Sequence, residues 1–175
     1  MEKYKNKNLT PKERAKDLLQ YMTVAEKVGQ LNQRLYGFNI YEVKDNEIIF
    51  TEELKEEVKK YSGLGVLYGL YRSDPWSAKD FETGLVGINA IKAYNKFQKY
   101  VLDNSRLKIP VLYSTECPHG HQALGGYLLP VNLAMGATFN PELVGEAYEV
   151  CGEQLKSMGV NLALISLLDM LRDPR

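Results

Sequence analysis

The opening part of the chain alternates polar and apolar residues with the period of an amphipathic helix. Thr10, Pro11 and Glu13 combine a capping side chain, a proline at the first helical position and the acid of a capping box. The apolar residues that follow at helical spacing are Ala15, Leu18, Leu19 and Met22. Thr23 and Glu26 repeat the capping box before a second apolar stripe, formed by Val28, Leu31 and Leu35 and terminated by Gly37. The pattern predicts two short amphipathic helices.

Three short apolar runs farther along the chain have the length and composition of buried strands. They occupy residues 63–69, 109–114 and 160–165. A helical apolar period separates the first two runs, over residues 85–102, and a second helix is predicted from Asn140 to about Met158. Strands that alternate with helices are typical of a parallel α/β fold with crossover helices.

Residues 38–62 depart from this alternation. They contain a hairpin-like apolar stretch around Asp45-Asn46, followed by a charged helix from Thr51 to Tyr61. We interpret the segment as a peripheral insertion in a single domain that covers residues 1–175, and we expect little chemistry there.

The composition excludes several classes of partner. The chain has 22 basic and 22 acidic residues and is 45% apolar, so no positive excess is available for a nucleic acid backbone. The first residues are charged and include no apolar run of signal or anchor length, so we expect a cytoplasmic protein that does not enter a membrane. Cys117 and Cys151 lie far apart, which suits a reducing compartment better than a disulfide. Gly63 and Gly65 lack the third glycine of a dinucleotide motif, and no cofactor is expected.

The predicted sheet places two polar loops on one rim, because ligands of parallel α/β folds bind at the carboxyl ends of the strands. The loop after the second strand supplies Ser114, Thr115, Glu116, His119 and His121. The loop after the third strand supplies Asp169, Arg172, Asp173 and Arg175.

Residues 116–121, Glu-Cys-Pro-His-Gly-His, permit several interpretations. Glu116, His119 and His121 are suitable metal ligands, but Pro118 and Gly120 interrupt the spacing, and no established zinc signature is present. Cys117 beside His119 could form a nucleophile and its base, although no third residue that would orient the histidine can be named. We favour a tight turn in which the histidines donate to backbone groups. An ionised Glu116 would then accept hydrogen bonds from ligand hydroxyls.

Four stretches together resemble the amino-terminal domain of glycoside hydrolase family 3, the group of β-glucosidases and β-xylosidases. They are RAKDLLQYMTVAEKVGQLNQ (14–33), GVLYGLYRSDPWSAKDFETG (65–84), SRLKIPVLYSTECPHGHQALGGYLLPVNLAMGATFNPELV (105–144) and GEQLKSMGVNLALISLLDMLRDPR (152–175). The resemblance implies the amino-terminal part of a (β/α)₈ TIM-like barrel. It also implies retaining hydrolysis of terminal β-glucosyl or xylosyl residues of a β-linked glucoside or oligosaccharide through a covalent glycosyl-enzyme intermediate.

The resemblance also suggests which residues bind the substrate. Glu116 occupies the position whose acid, more often aspartate in the family, binds hydroxyls of the non-reducing-end sugar, while His119 and Gly120 shape the turn. Arg172 belongs to a motif that contacts the sugar in the family, although a salt-bridged rim is the interpretation we favour for it, together with Asp169 and Asp173. Trp76 could equally stack on a sugar or anchor its own loop.

The family's nucleophile and acid/base match no residue of this sequence, so no catalytic residue is assigned. Both catalytic carboxylates are expected beyond Arg175. No metal ligand is assigned either. A full barrel needs roughly 250 residues. We therefore expect this polypeptide alone to be inactive and, with sheet edges and apolar faces uncovered, to self-associate. The alternatives are a non-catalytic sugar-binding or scaffold protein and a metal-dependent hydrolase that uses Glu116, His119 and His121.

Overall fold

A parallel three-stranded sheet, flanked by helices, forms the centre of the structure. The structure is a computed structural model that describes residues 2–45 and 47–165. Its strands are β1 (Tyr41–Lys44), β2 (Glu47–Phe50), β3 (Val66–Tyr68), β4 (Leu112–Glu116) and β5 (Leu162–Leu164). Its helices are α1 (Pro11–Tyr21), α2 (Val24–Leu31), α3 (Glu52–Tyr61), α4 (Ile88–Asp103), α5 (Asn132–Gly136) and α6 (Pro141–Ser157), with 3-10 turns at Lys3–Lys5 and Gly37–Asn39. β3, β4 and β5 pair in that order and in parallel, which confirms the predicted alternation.

The two predicted capping boxes form at the starts of α1 and α2. The hydroxyls of Thr10 and Thr23 accept hydrogen bonds from the backbone three residues ahead, and the glutamates there accept from the threonine backbone in return. The predicted end of α2 is wrong, because the helix stops at Leu31 rather than near Gly37. Asn32 is extended, and its side chain donates a hydrogen bond to Glu57 and accepts one from the backbone N–H of Arg34. An asparagine that satisfies its side chain in this way competes with continued helix.

The apolar stripes of α1 and α2 are largely uncovered. No residue of α1 is buried, and Leu19 and Leu31 are 51% and 89% exposed. Together with Leu18, Met22 and Ile109 they line an apolar groove between the two helices and the chain that leads into β4. The amphipathic period predicted from the sequence is thus present in the helices, but it faces solvent.

Residues 38–62 contribute to the main core, contrary to the expectation of a peripheral segment. β1 and β2 pair as the predicted antiparallel hairpin, and α3 follows Thr51 as its N-terminal cap. Ile40, Leu54 and Val58 have no exposed surface and belong to the same apolar cluster as the sheet. The error arose because charged residues dominate the sequence of α3, and only Leu54 and Val58, one helical turn apart, mark the face that packs inward. Whether the segment is an insertion stays a prediction.

The alternation of side chains in the sheet determines which residues reach the rim. Tyr113 packs between Tyr94 and Phe97 of α4, with ring centroids 4.3 and 5.5 Å away, so it faces the helical layer. Because successive strand residues point to opposite faces, Ser114 and Glu116 lie on the other face of β4. Leu162 and Leu164 are their partners in register on β5, and both are more than a third exposed. This second face of the sheet carries the candidate site.

Two smaller features complete the description. α5 is a single turn that the sequence did not predict, since five residues are too few to show a helical period. None of the helices in residues 2–45 and 47–165 is long and apolar enough to cross a membrane.

Candidate functional site

Two parallel strands bring Tyr68 and Glu116 together at one rim. Tyr68 ends β3 and Glu116 ends β4, and the register pairs Tyr68 with Ser114. Glu116 therefore lies one step beyond Tyr68 on the same face of the sheet. The Tyr68 hydroxyl donates to Glu116 Oε1 over 2.9 Å, across 48 positions of sequence.

Arg72 extends this contact into a chain of polar side chains. Its Nη1 donates to the Tyr68 hydroxyl oxygen. Its Nε and Nη2 both donate to Asp74 Oδ2, over 2.7 and 2.6 Å. The other oxygen of Asp74 accepts from the backbone of Ser77 over 2.8 Å, which fixes the carboxylate in a tight turn. We call Asp74, Arg72, Tyr68 and Glu116 the polar network.

Tyr68, Arg72 and Asp74 have well-defined protonation states at neutral pH. Burial, reinforced by the hydrogen bond to Glu116, raises the pKa of Tyr68 to about 12, so the hydroxyl keeps its proton. Burial is the largest single influence on both Arg72 and Asp74 and opposes their ionisation, but their mutual hydrogen bond, the nearby charges and, for Asp74, the hydrogen bonds from Ser77 together outweigh it. The pKa of Arg72 is accordingly raised and that of Asp74 lowered. The network therefore holds a fixed cation and anion around a neutral phenol.

Three aromatic side chains stand beside the network. Trp76 packs edge-on against Tyr36 and Phe38, with ring centroids 4.9 and 5.1 Å away, and the Arg72 guanidinium lies 4.8 Å from the Trp76 ring centre. Trp76 and Tyr36 remain 55% and 43% exposed. Tyr36, Phe38 and Trp76 thus form one cluster of aromatic rings beside Arg72. Trp76 both anchors its loop through these contacts and leaves more than half its surface free.

The turn after β4 depends on a glycine. Gly120 has a φ of +94°, and a Cβ added there would lie 2.1 Å from the Tyr127 carbonyl oxygen. The neighbouring backbone groups of His119 and His121 bond to this same returning segment, through Leu129 and Tyr127. The side chain at Glu116 is thus followed by a tightly closed loop, as the sequence predicted for the Pro-His-Gly segment.

The histidine side chains differ from the expectation that they bond to backbone. His121 has no exposed surface, and neither of its nitrogens has a hydrogen-bond partner among the described residues; His119 Nδ1 is in the same position. Burial lowers the pKa of His121 to about 4, so its ring is neutral. The predicted side-chain hydrogen bonds to backbone are therefore absent, among the described residues, for both nitrogens of His121 and for Nδ1 of His119.

Metal and thiol chemistry find little support at this loop. In the part of the chain that the structure describes, no group of three or more His, Cys, Asp or Glu side chains could hold a metal ion. Cys117 and Cys151 are free and buried, and burial raises the pKa of both thiols, opposite to what a nucleophilic cysteine needs.

Other functional residues lie outside the sequence prediction or outside the described part of the chain. Tyr68, Arg72 and Asp74 were not identified from the sequence. The rule that selected Glu116, a polar residue at the carboxyl end of a parallel strand, would have found them if it had been applied to the strand before it. Arg172, with Asp169 and Asp173, lies outside the described residues.

The arrangement suits a ligand with hydroxyl groups and an apolar face. An ionised carboxylate is a strong acceptor, and no residue in the described ranges donates to Glu116 Oε2. Exposed aromatic rings nearby offer flat apolar surface. A sugar ring has both properties, with hydroxyls at its edge and C–H groups on its faces.

Comparisons with known proteins agree with this chemistry. The family model described as "Glycosyl hydrolase family 3 N terminal domain" matches residues 23–175. A protein of Formosa agariphila described as a proposed beta-xylosidase is 32% identical over 98% of this chain and 21% of its own length. A periplasmic beta-glucosidase of Salmonella typhimurium is 27% identical over 97% of this chain and 18% of its own. The chain thus spans about a fifth of the length of these relatives.

A solved structure confirms the predicted fold. A β-glucosidase from Erythrobacter marinus superimposes with a TM-score of 0.74 and 25% identity, covering 99% of this chain and 20% of that one. The parallel strands and crossover helices described above are accordingly part of a TIM-barrel-like α/β fold.

Proposed function

Because the chain belongs to glycosyl hydrolase family 3, we propose that it forms part of the sugar-binding site of a retaining glycosidase that releases terminal β-linked glucosyl or xylosyl units. The observation that carries the proposal is the carboxylate of Glu116, held at the strand rim by Tyr68 beside exposed aromatic rings. The names of the relatives, a proposed beta-xylosidase and beta-glucosidases, support the same substrate class.

Each residue of the site has a distinct role in this proposal. Glu116 accepts a hydroxyl of the non-reducing-end sugar, and Trp76 offers its exposed surface to a sugar face. Gly120 and His119 hold the turn that follows Glu116, since only a residue without Cβ fits against Tyr127. For Arg172 the family motif supports a sugar contact, whereas a salt-bridged rim remains the interpretation that we favour.

The described residues supply binding rather than the cleavage step. Retaining hydrolysis requires two carboxyl groups about 5 Å apart, one on each side of the bond that breaks. Asp74 is bound by Arg72 and the Ser77 backbone, and Glu116 by Tyr68. We propose that the nucleophile and the acid/base come from other parts of the enzyme, and that this chain binds glycosides without cleaving them.

The proposal is tested by direct binding. Trp76 is the only tryptophan of the 175 residues, so its fluorescence reports on the site without interference. Methyl β-D-glucoside and methyl β-D-xyloside should change that emission saturably, and Glu116→Ala should weaken binding about tenfold, the loss of one charge-assisted hydrogen bond. Glu153→Ala, which removes an exposed carboxylate of α6, is the matched control and should bind normally.

Two results would contradict the proposal. One is the absence of saturable binding of either glycoside by the folded chain. The other is release of the aglycone from an aryl β-glucoside above the blank, abolished by Glu116→Ala, because this would place catalysis on the described residues. Binding without turnover in the intact natural protein would instead favour the alternative of a sugar-binding or scaffold protein.

A further inference from the structure

We infer that Arg72 is a positioning residue that acts through Tyr68: it directs the phenolic proton to Glu116 Oε1 and so reserves Oε2 for a single sugar hydroxyl. This inference rests on the proposed function of Glu116 as a hydroxyl acceptor. It adds residues of the chain that neither the family resemblance nor the comparisons assign, and it specifies which oxygen of the carboxylate makes the contact.

The donors and acceptors around Tyr68 determine the direction of its hydroxyl proton. A phenol has one proton to donate and can accept from others, whereas a guanidinium only donates. Arg72 Nη1 therefore occupies the accepting side of the Tyr68 oxygen, and among the described residues the hydroxyl donates to Glu116 Oε1, at 2.9 Å. The raised pKa of Tyr68 is consistent with a phenol that stays protonated in this contact. Without Arg72 the hydroxyl could rotate and donate elsewhere.

Arg72 is itself held in place from two directions. Two of its nitrogens bind Asp74, which is fixed by Ser77, and its guanidinium lies over the Trp76 ring. The side chains of Arg72 and Asp74 are only 15% and 12% exposed, unlike the surface pair Lys99–Asp103, whose side chains are both more than half exposed. Partly buried ion pairs with fixed geometry can orient a neighbour, whereas exposed pairs contribute little.

The consequence for Glu116 follows from its length. A glutamate side chain has three rotatable bonds, and holding it in one conformation has an entropic cost that a bound sugar would otherwise bear. The hydrogen bond from Tyr68 fixes one oxygen before the ligand arrives. No described residue donates to Oε2, so this oxygen can accept from a ligand. Preorganisation of this kind increases affinity and sharpens the choice of hydroxyl.

The test compares affinity and selectivity in three variants of the chain. The probes are methyl β-D-glucoside and its four monodeoxy derivatives, which lack one hydroxyl each. In the unaltered chain, one deoxy derivative should bind about tenfold more weakly than the parent, identifying the hydroxyl that Glu116 accepts. Tyr68→Phe and Arg72→Met should each weaken binding of the parent glucoside about fivefold and reduce this selectivity, while affinity for that one deoxy derivative stays unchanged.

Arg106→Met provides the matched control. Arg106 also forms an ion pair with a buried carboxylate, Glu26, over 2.6 Å, but it lies outside the polar network. It should lower stability without altering sugar selectivity. A merely structural role for Arg72 would give the same result as this control, so unchanged selectivity in Arg72→Met and Tyr68→Phe would overturn the inference and leave the proposed function standing.

A second measurement separates the inference from the proposed function. If the unaltered chain binds no glucoside, the proposed function fails. Denaturant unfolding then decides whether Tyr68 holds Glu116 in place, by comparing Tyr68→Phe, Glu116→Gln and the double variant. A double variant less destabilised than the sum of the two single changes supports the contact. Strict additivity of the two substitutions would overturn it, whether or not any sugar binds.

Discussion

Replacement of Gly120 by alanine tests the geometry of the turn after Glu116 most directly. The new Cβ would lie 2.1 Å from the Tyr127 carbonyl oxygen and 2.8 Å from the Leu128 Cα, both of them backbone atoms that cannot rotate away. The residue would also keep a φ of +94°, which L side chains rarely adopt.

The two effects give an expected magnitude. A non-glycine residue in a sparsely populated backbone region costs about 1–3 kcal/mol, and the overpacking costs about 1–3 kcal/mol more. The free energy of unfolding should therefore fall by about 2–6 kcal/mol, which corresponds to a decrease in Tm of about 4–24 °C for a chain of this size. Sugar affinity measured below the new Tm should also fall, because the returning segment must move away from residue 120 and the turn that follows Glu116 must shift with it.

Gly152→Ala makes the same chemical change without the clash. Gly152 lies on the exposed side of α6, and a Cβ added there meets nothing within 4 Å. Alanine should stabilise the helix by about 0.5–1 kcal/mol. Urea unfolding of both variants measures the contrast. Equal stabilities would refute the close backbone approach inferred at Gly120.

Three further predictions follow from other parts of the structure. The hydrogen bond from Arg106 holds the pKa of Glu26 below its ordinary value. The stability that this ion pair contributes is therefore present above about pH 4.5 and is lost as the pH falls through the lowered pKa. Glu26→Gln should lower the unfolding free energy at pH 7 by about 1–2 kcal/mol and make it depend less on acid pH, measured by urea titrations from pH 3 to 7. Leu31→Lys should shift sedimentation toward monomer, because Leu31 is 89% exposed in an apolar groove, and an unchanged distribution would show that another surface associates. Trp76→Ala should weaken glucoside binding in calorimetry about fivefold to tenfold while leaving Tm within a few degrees, and undiminished affinity would restrict Trp76 to anchoring its loop.

Local patterns predicted the elements well, for reasons that the structure makes clear. The starts of α1, α2 and α6 depend on residues within three positions of Thr10, Thr23 and Asn140, so the sequence contains the whole cause. The end of α2 depends on Glu57, which binds Asn32 from 25 residues away. No local period contains that information.

The candidate site divides in the same way. The position of Glu116 follows from the length of a buried strand and the rule that sites lie at carboxyl ends, and the need for Gly120 follows from a turn that only glycine permits. The contact between Tyr68 and Glu116 depends on the register of β3 with β4, and the placement of Arg72 over Trp76 depends on how the loop after β3 folds. Register is a property of two strands at once, so it becomes visible only in the folded chain.

The pleat of β4 also has a consequence for how this chain can change in length. Deleting or inserting one residue within Leu112–Glu116 would exchange its two faces, turning Tyr113 away from α4 and Glu116 toward the helices. A change of two residues would preserve the faces but shift Glu116 along the strand relative to Tyr68. Asp45, which follows β1 and is exposed, lies outside the paired strand residues and has no such constraint. Insertions and deletions should therefore be tolerated next to Asp45 but not within β4.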